Sequence, residues 1–205
     1  FAIESKVYGS RGIPGDWRRE KQHGGGMVLD WGVHLLDQML MLNDGKKIES
    51  VYATLTHVTN YEVDDGFRAI IKFKEGPECL VEVFTNNFIE APRWYICGEN
   101  GTAIISDWDL NGEIVKVKDW DIIDAVPIQA GAGITNTMAP RTDETIKHFP
   151  LEKIYVEWAD YYNNIYDVLR NGAQQLITHN QQRRLMRVME AIFESAEKNI
   201  VVYFE

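Results

Sequence analysis

Six segments rich in β-branched and aromatic residues follow one another between residues 48 and 120, and this succession constrains the fold most. They span residues 48–60, 66–74, 78–87, 92–97, 102–108 and 113–118. Most of the connections are short turns such as Glu75-Gly76-Pro77 and Asn111-Gly112. Because a parallel crossover needs a dozen or more residues, we expect these strands to run mostly antiparallel, as a meander. Residues 1–9 predict one further short strand.

The second of the six segments, residues 66–74, shows the alternation of a half-buried strand. Its odd-numbered positions are apolar: Phe67, Ala69, Ile71 and Phe73. Its even-numbered positions carry three basic residues and Ile70. One face of the sheet should therefore meet a hydrophobic core, and the other face keeps some apolar residues that need a cover.

Helices are predicted on both sides of this strand region. One spans Met27 to Asn43, a second spans Leu151 to Asn171 and ends at Gly172, and a third starts at a Thr178 cap and runs to Asn199. Residues 121–150 show no sustained period, so we expect a long irregular loop there. Strands followed by helices, rather than alternating with them, indicate an α+β fold in one domain.

Composition excludes several classes of protein. The 205 residues carry 21 Lys and Arg against 31 Asp and Glu, a net charge of −10, with no basic block, which argues against nucleic acid and anionic membranes as partners. The longest apolar run, Ile200–Phe204, is far shorter than the roughly 20 residues of a membrane helix. Cys79 and Cys97 form no CxxC motif, so reduced thiols and a cytoplasmic location are expected. The chain opens at Phe1 without Met and without a secretory leader, and we interpret it as part of a longer protein.

A narrow polar stripe marks the helix predicted over Met27–Asn43, in which 11 of 17 residues are apolar. At the angular spacing of an α-helix, Asp30, His34 and Asp37 lie within about 60° of one another. Burial of such groups without partners costs several kcal/mol. The stripe must therefore face protein partners, water or a ligand.

Two interpretations of this stripe remain open. A neutral imidazole at His34 can accept a proton from a substrate hydroxyl, and a carboxylate one turn earlier, at Asp30, can orient the ring or stabilise the imidazolium. Alternatively, Asp30 and His34 make a structural hydrogen bond between packed elements, because one-turn spacing arises on any helix.

The glycine triplet Gly24-Gly25-Gly26 before this helix also has two interpretations. It either brings the backbone close to a ligand at a helix N-terminus or fits a tight turn against the sheet. Neither the triplet nor Gly131-Ala132-Gly133 matches GxGxxG, so no dinucleotide fingerprint is present. A serine-hydrolase GxSxG motif is also missing. His23, His57 and His179 lack paired ligand spacing, so no metal site is predicted.

The segment from Gly24 to Asp37 resembles the GGGxxxDxGxHxxD pattern of the glucose-fructose oxidoreductase, inositol dehydrogenase and rhizopine-catabolism (Gfo/Idh/MocA) family. Further pieces similar to this family are Asp16-Trp17-Arg18, the turn at residues 98–102 and the segment at residues 190–196. The resemblance covers nearly the whole chain, apart from the loop at residues 121–150.

This resemblance implies that residues 1–205 form a C-terminal substrate-binding and oligomerisation domain with an open, mostly antiparallel sheet. NAD or NADP would be bound mainly by an N-terminal Rossmann domain that this chain lacks. Asp30 and His34 would be the catalytic pair, with His34 as acid/base or carbonyl-polarising group. The lysine of the family's E-K-P motif would lie before Phe1, so we expect this chain to be inactive by itself.

Other side chains near the stripe are secondary candidates. Arg18 can bind a substrate hydroxyl or carboxylate and Trp17 can stack on a sugar ring, although a salt-bridged Arg and a core Trp fit equally. Asp37 can bind a substrate hydroxyl or a structural partner. Three loop residues, Arg141, Lys147 and His148, either close over the site or belong to a solvated loop. The aromatic residues of the second helix, Trp158, Tyr161, Tyr162 and Tyr166, predict a core or an interface.

Three functions follow from these observations. The first is an NAD(P)-dependent oxidoreductase acting on a sugar, cyclitol or related polyol. The second is an NAD-dependent glycosidase of the same family, which differs by having no net redox change. The third is a non-catalytic domain that binds a ligand or assembles oligomers. A sheet face carrying residues such as Ile70 also predicts a homodimer or homotetramer that packs sheet to sheet.

Overall fold

The structure, a computed structural model, describes residues 1–122, 124 and 126–205. Within these residues, nine strands form one sheet and two form a separate hairpin. The sheet strands are β1 (Ala2–Tyr8), β2 (Ile48–Thr56), β3 (Gly66–Phe73), β4 (Glu78–Phe84), β5 (Trp94–Cys97), β6 (Gly101–Ile105), β7 (Gly112–Val117), β10 (Ile146–Pro150) and β11 (Val202–Tyr203), and the hairpin strands are β8 (Ile128–Ala130) and β9 (Gly133–Thr135). The strand order in the sheet is β10-β7-β6-β5-β1-β4-β3-β2-β11.

The sheet is open and mostly antiparallel, as the short connections predict. The runs β2-β3-β4 and β5-β6-β7 are meanders. Between them lies β1, which pairs antiparallel with β5 and parallel with β4, with Ser5 opposite Val81. A strand from the start of the chain can occupy this position because the segment between β4 and β5, residues 85–93, is long enough to pass around it.

Helices cover one face of the sheet. Phe67, Ala69 and Ile71 of β3 are fully buried on that face, which confirms the alternation in the sequence. Helices α1 (Val33–Leu42) and α3 (His179–Lys198) pack there and touch each other. The buried Ser195 hydroxyl on α3 accepts a hydrogen bond from the Ala53 amide at 2.8 Å and donates one to the Ile200 carbonyl at 2.6 Å. This arrangement makes the fold an α+β domain with its core between the helices and the sheet.

The first helix differs from its prediction. A single α-helix from Met27 was expected, but Val28–Gly32 form one turn of π-helix before α1 begins. The Gly32 amide donates to the Met27 carbonyl at 2.7 Å, five residues back. Gly32 packs so closely on β3 that a Cβ there would lie 2.9 Å from the Phe67 ring. The widened turn thus lets Gly32 approach the sheet between Asp30 and His34.

The region after β7 is more regular than predicted. Residues 121–150 were expected to form an irregular loop, but they include the β8–β9 hairpin and β10, which pairs with β7 and extends the sheet. The part of that prediction falling on Ile123 and Ala125 lies outside the described residues. Strand β10 escapes detection because only Ile146 and Phe149 of its five residues are apolar, without alternation.

The second predicted helix starts later than expected. Helix α2 spans Trp158–Asn171, whereas residues 151–157 have no helical structure. Pro150 and the extended-favouring run Ile154-Tyr155-Val156 explain the late start. The predicted ends at Gly172 and at the Thr178 cap are confirmed, the latter as a capping box with Gln181. The aromatic residues of α2 are exposed, Trp158 by 87%, which excludes a core role within the described residues.

Candidate active site

The glycine triplet packs against other residues of the chain. The Gly26 amide donates to the Arg18 carbonyl at 2.9 Å, and a Cβ at Gly26, where φ is +108°, would clash with the carboxylate of Asp64. The first amides of the helix are also occupied, because Met27 donates to the Asp64 carbonyl at 3.0 Å and Val28 to the Asp64 carboxylate at 2.8 Å. The tight-turn interpretation of the triplet is therefore the one that the geometry supports.

Asp64 also decides whether a dinucleotide fits at this helix. Burial raises the pKa of the Asp64 carboxyl, and the hydrogen bond from Val28 lowers it in part. A pyrophosphate binds a helix N-terminus through free amide groups, but here a carboxylate of the chain already takes that place. The residues of this chain therefore do not fit the phosphates of NAD or NADP at the glycine triplet.

The turn formed by Trp17–Arg19 brings Arg18 to Asp30. The Arg18 Nε lies 3.0 Å from Asp30 Oδ2, and its Nη1 lies 2.9 Å from Asp16 Oδ2. The hydrogen bond to Asp30 is the main reason that the pKa of Arg18 is raised. The same guanidinium lies over the Trp17 ring at 4.7 Å. Three of the predicted site residues, Trp17, Arg18 and Asp30, thus form one cluster.

His34 lies one turn beyond this cluster. Its ring is exposed and stands edge-on to Trp31, with ring centroids 6.2 Å apart. Within the described residues the imidazole makes no hydrogen bond, and the Asp30 carboxylate is directed to Arg18. His34 is therefore open to a ligand, and Arg18 is the residue that positions Asp30.

Asp37, the third member of the polar stripe, lines a different groove. This small groove lies between α1 and the start of α3 and is bordered by Leu40, Ile177 and Arg184. In the part of the chain that the structure describes, Asp37 does not join the cluster around Arg18.

A cleft of about 360 Å³ adjoins Asp30. Its wall includes Trp31 and Trp108, whose ring centroids lie 5.5 Å apart. Arg93 stacks on Trp108 with its guanidinium carbon 3.5 Å from the ring centroid. Sequence reasoning missed Arg93, Trp31 and Trp108, because Trp108 lies in the β6–β7 turn and nothing in the local pattern connects it with Asp30.

The basic residues of the 121–150 segment lie elsewhere. Arg141 is 3.8 Å from Asp124, and His148 Nδ1 on β10 is 2.7 Å from Glu113 of β7. The hydrogen bond to Glu113 raises the pKa of His148. Strand β10 is an edge strand, separated from β1 by β7, β6 and β5. These contacts favour the surface interpretation over closure of the site.

Two searches bear on metal and membrane binding. Among residues 1–122, 124 and 126–205, no group of three or more His, Cys, Asp or Glu side chains is arranged to hold a metal ion. None of the helices in the same residues combines the length and apolar character needed to cross a bilayer.

The sheet, its helical cover and the cleft beside Asp30 define a class of α+β domain that comparisons with known proteins identify. Residues 1–104 match the model of the GFO/IDH/MocA C-terminal domain. The chain belongs to the Gfo/Idh/MocA family.

Solved structures agree with this assignment. An NAD-binding protein from Listeria innocua is 46% identical over 100% of this chain, with a TM-score of 0.92, and the chain spans 59% of that protein. An oxidoreductase from Bacillus cereus (16% identity, TM-score 0.73) is matched over 100% of this chain and 59% of its own. The WlbA dehydrogenase from Bordetella pertussis, in complex with NADH and UDP-GlcNAcA (18%, 0.66), is matched over 100% of this chain and 54% of its own. The last two show the fold alone. A comparison with curated proteins found no match.

Proposed function

We propose that this chain is the substrate-binding and oligomerisation domain of an NAD(P)-dependent oxidoreductase that acts on a sugar, cyclitol or related polyol. One observation carries the proposal: Asp30, held by Arg18, lies at a tryptophan-lined cleft, and one turn away is His34, whose ring has no hydrogen-bond partner among the described residues. Aromatic rings suit the apolar faces of a sugar, and carboxylate and imidazole groups suit its hydroxyls.

Each side chain has a defined role in this proposal. Oxidation of a carbinol removes a hydride, which the cofactor accepts, and a hydroxyl proton, which a ring nitrogen of His34 accepts. Asp30 stabilises the imidazolium that forms, and Arg18 holds the carboxylate in place. Trp17, against the Arg18 guanidinium, is a further substrate contact. Asp37 lines the separate groove between α1 and α3, so this proposal gives it no contact with the reacting hydroxyl.

The proposal assigns cofactor binding mainly to another domain. The helix amides after the glycine triplet are occupied by Asp64, and the Listeria relative, whose name records NAD binding, is longer than this chain. We therefore propose that NAD or NADP binds an N-terminal domain and that residues 1–205 alone are inactive. Turnover of any polyol by this chain with NAD or NADP would contradict this part of the proposal.

The test of the proposal is an activity screen of the longer parent protein. Sugars, cyclitols and polyols are offered with NAD and with NADP, and reduction of the nicotinamide is followed by absorbance. His34→Gln should lower kcat by about 10²–10⁴-fold, the usual contribution of a general base. His179→Gln, at the start of α3, is the matched control and should leave kcat unchanged. Equal kcat values for His34→Gln and the unaltered protein would refute the catalytic role.

We further propose that the open face of the sheet forms a homodimer or homotetramer interface. Ile70 of β3 lies opposite Tyr52 and Leu80 across the strands, and all three are partly exposed. Ile70→Glu should shift the mass measured by light scattering to that of a monomer, whereas Ile134→Glu on the β8–β9 hairpin should not. A monomeric unaltered protein would contradict the assembly proposal. We also propose a cytoplasmic location, which the free thiols of Cys79 and Cys97 among the described residues support.

A further inference from the structure

Arg93 is a cation without an anionic partner among the described residues. It is half-buried, and its Nε is fully buried without a hydrogen-bond acceptor. Other arginines nearby are paired, Arg18 with Asp30 and Arg68 with Glu82. Burial without a carboxylate lowers the pKa of the Arg93 guanidinium. An unpaired, partly desolvated charge costs free energy, which a bound anion would recover.

The position of Arg93 connects it with the cleft. Its guanidinium carbon lies over the Trp108 ring, 3.5 Å from the ring centroid, and Trp108 lines the same cleft as Asp30 and Trp31. A guanidinium stacked on an aromatic ring keeps its N–H groups in one plane, the arrangement that binds a carboxylate or phosphate through two hydrogen bonds. An anion bound by Arg93 would lie beside Trp108, at the wall of the cleft that Asp30 also lines.

We propose that Arg93 and Trp108 form an anion subsite, and that the substrate is a sugar or polyol carrying a carboxylate or a phosphate group. This inference rests on the proposed function for the reacting end of the ligand. Arg93 binds the anionic group, Trp108 stacks on the ring or chain beside it, and the hydroxyl to be oxidised lies toward Asp30 and His34.

Binding of three probes to the 205-residue chain tests the subsite. Glucuronate, glucose 6-phosphate and glucose are titrated separately while the indole N–H resonances are followed by NMR. At least one anionic probe should bind about tenfold more tightly than glucose, and the preferred one distinguishes a carboxylate from a phosphate. Equal binding of all three probes would overturn the proposal, and this comparison needs no variant.

Variants assign the preference to Arg93. Arg93→Gln should reduce binding of the anionic probe to the level of glucose. Arg93→Lys should retain part of the preference, because lysine keeps the positive charge but cannot donate two parallel hydrogen bonds from a planar group. Arg183→Gln, an exposed arginine on α3, is the control for loss of one positive charge and should retain the preference. A preference that survives Arg93→Gln would also overturn the proposal.

The subsite and the proposed function fail in different ways. Oxidation of neutral polyols by the longer parent, with no preference for anionic probes, would remove the subsite and leave the oxidoreductase in place. Arg93-dependent binding of an anion, with no NAD(P)-linked oxidation by the parent, would support the subsite and refute the oxidoreductase.

Discussion

Replacing Gly32 by Ala tests how the helix that carries Asp30 and His34 is held against the sheet. Gly32 lies between these two residues, at the end of the π-turn. A Cβ at this position would lie 2.9 Å from both Cε1 and Cζ of Phe67 and 3.2 Å from the Met27 carbonyl. Phe67 is fully buried and has no room to withdraw. The helix would have to move away from β3.

Two opposing effects set the magnitude. Ala is favoured over Gly inside a helix by about 1 kcal/mol. Overpacking a close-packed core costs about 1–3 kcal/mol. Contacts at 2.9 Å with an immobile ring belong to the upper part of that range, so we expect Gly32→Ala to lower the free energy of unfolding by about 1–2 kcal/mol. On the proposed function, displacement of Asp30 and His34 should also lower kcat/KM of the longer parent protein.

Urea denaturation measures the first effect, and two further variants assign it. Gly15→Ala, where the nearest atom to a new Cβ is 4.0 Å away on a flexible arginine, is the control and should be nearly neutral. In a Phe67→Leu background the ring atoms are gone, so adding Gly32→Ala should cost little or become stabilising. An unchanged or raised free energy of unfolding for Gly32→Ala would refute the argument. An equal loss in the Phe67→Leu background would place the cost at the Met27 carbonyl.

Three further predictions concern buried polar groups and thiols. The Asp65 carboxylate accepts hydrogen bonds from Thr56, Thr59 and Asn60. Burial acts to raise the pKa of this carboxyl, but the hydrogen bonds together lower it. Asp65→Asn should therefore lower the free energy of unfolding by about 2–4 kcal/mol, as measured by urea denaturation at neutral pH. Because the pKa of Asp65 in the folded protein lies below the unfolded value near 4, the stabilisation should be lost as pH falls below about 4. If Asp65→Asn and the unaltered protein lose stability with pH in the same way, this prediction is wrong. Ser195→Ala leaves the Ala53 amide unpaired and should cost about 1–3 kcal/mol, against no change for the exposed Ser106→Ala. Burial raises the pKa of the Cys79 thiol to about 11, so iodoacetamide should label Cys97 alone in the native protein and both thiols in denaturant, as read by mass spectrometry; native labelling of Cys79 would be evidence against this burial.

Local patterns in the sequence were sufficient to predict much of the sheet. The alternation at Phe67, Ala69 and Ile71 and the turn signals between strands depend only on neighbouring residues. The place of β1 between β5 and β4 could not be predicted, because strand order within a sheet is a long-range property. Strand β10 was missed because pairing with β7, rather than its own composition, makes it a strand.

Some features of the candidate site are visible in the sequence, and others depend on contacts between distant residues. Asp30 and His34 stand out because a polar stripe on an apolar helix is visible in the sequence. The pairing of Asp30 with Arg18 could not be predicted, since it depends on how the glycine triplet folds the preceding turn back onto the helix. The π-turn was also hidden, because Asp64, distant in the sequence, takes the first amides of the helix.

The residues around the cleft differ in how closely they are packed into the core. The residues that fix Asp30 and His34 in space, namely Gly26, Gly32, Asp64 and Phe67, are tied to the core and tolerate little change in volume. Arg93 and Trp108 lie outside the strands, on the segment before β5 and in the β6–β7 turn, where substitutions disturb the core least. A scaffold of this kind can keep the positions of Asp30 and His34 constant while Arg93 and Trp108 change. Substitutions at Arg93 and Trp108 should therefore alter which substrate is bound. They should change the free energy of unfolding by less than the change of about 1–2 kcal/mol expected for Gly32→Ala.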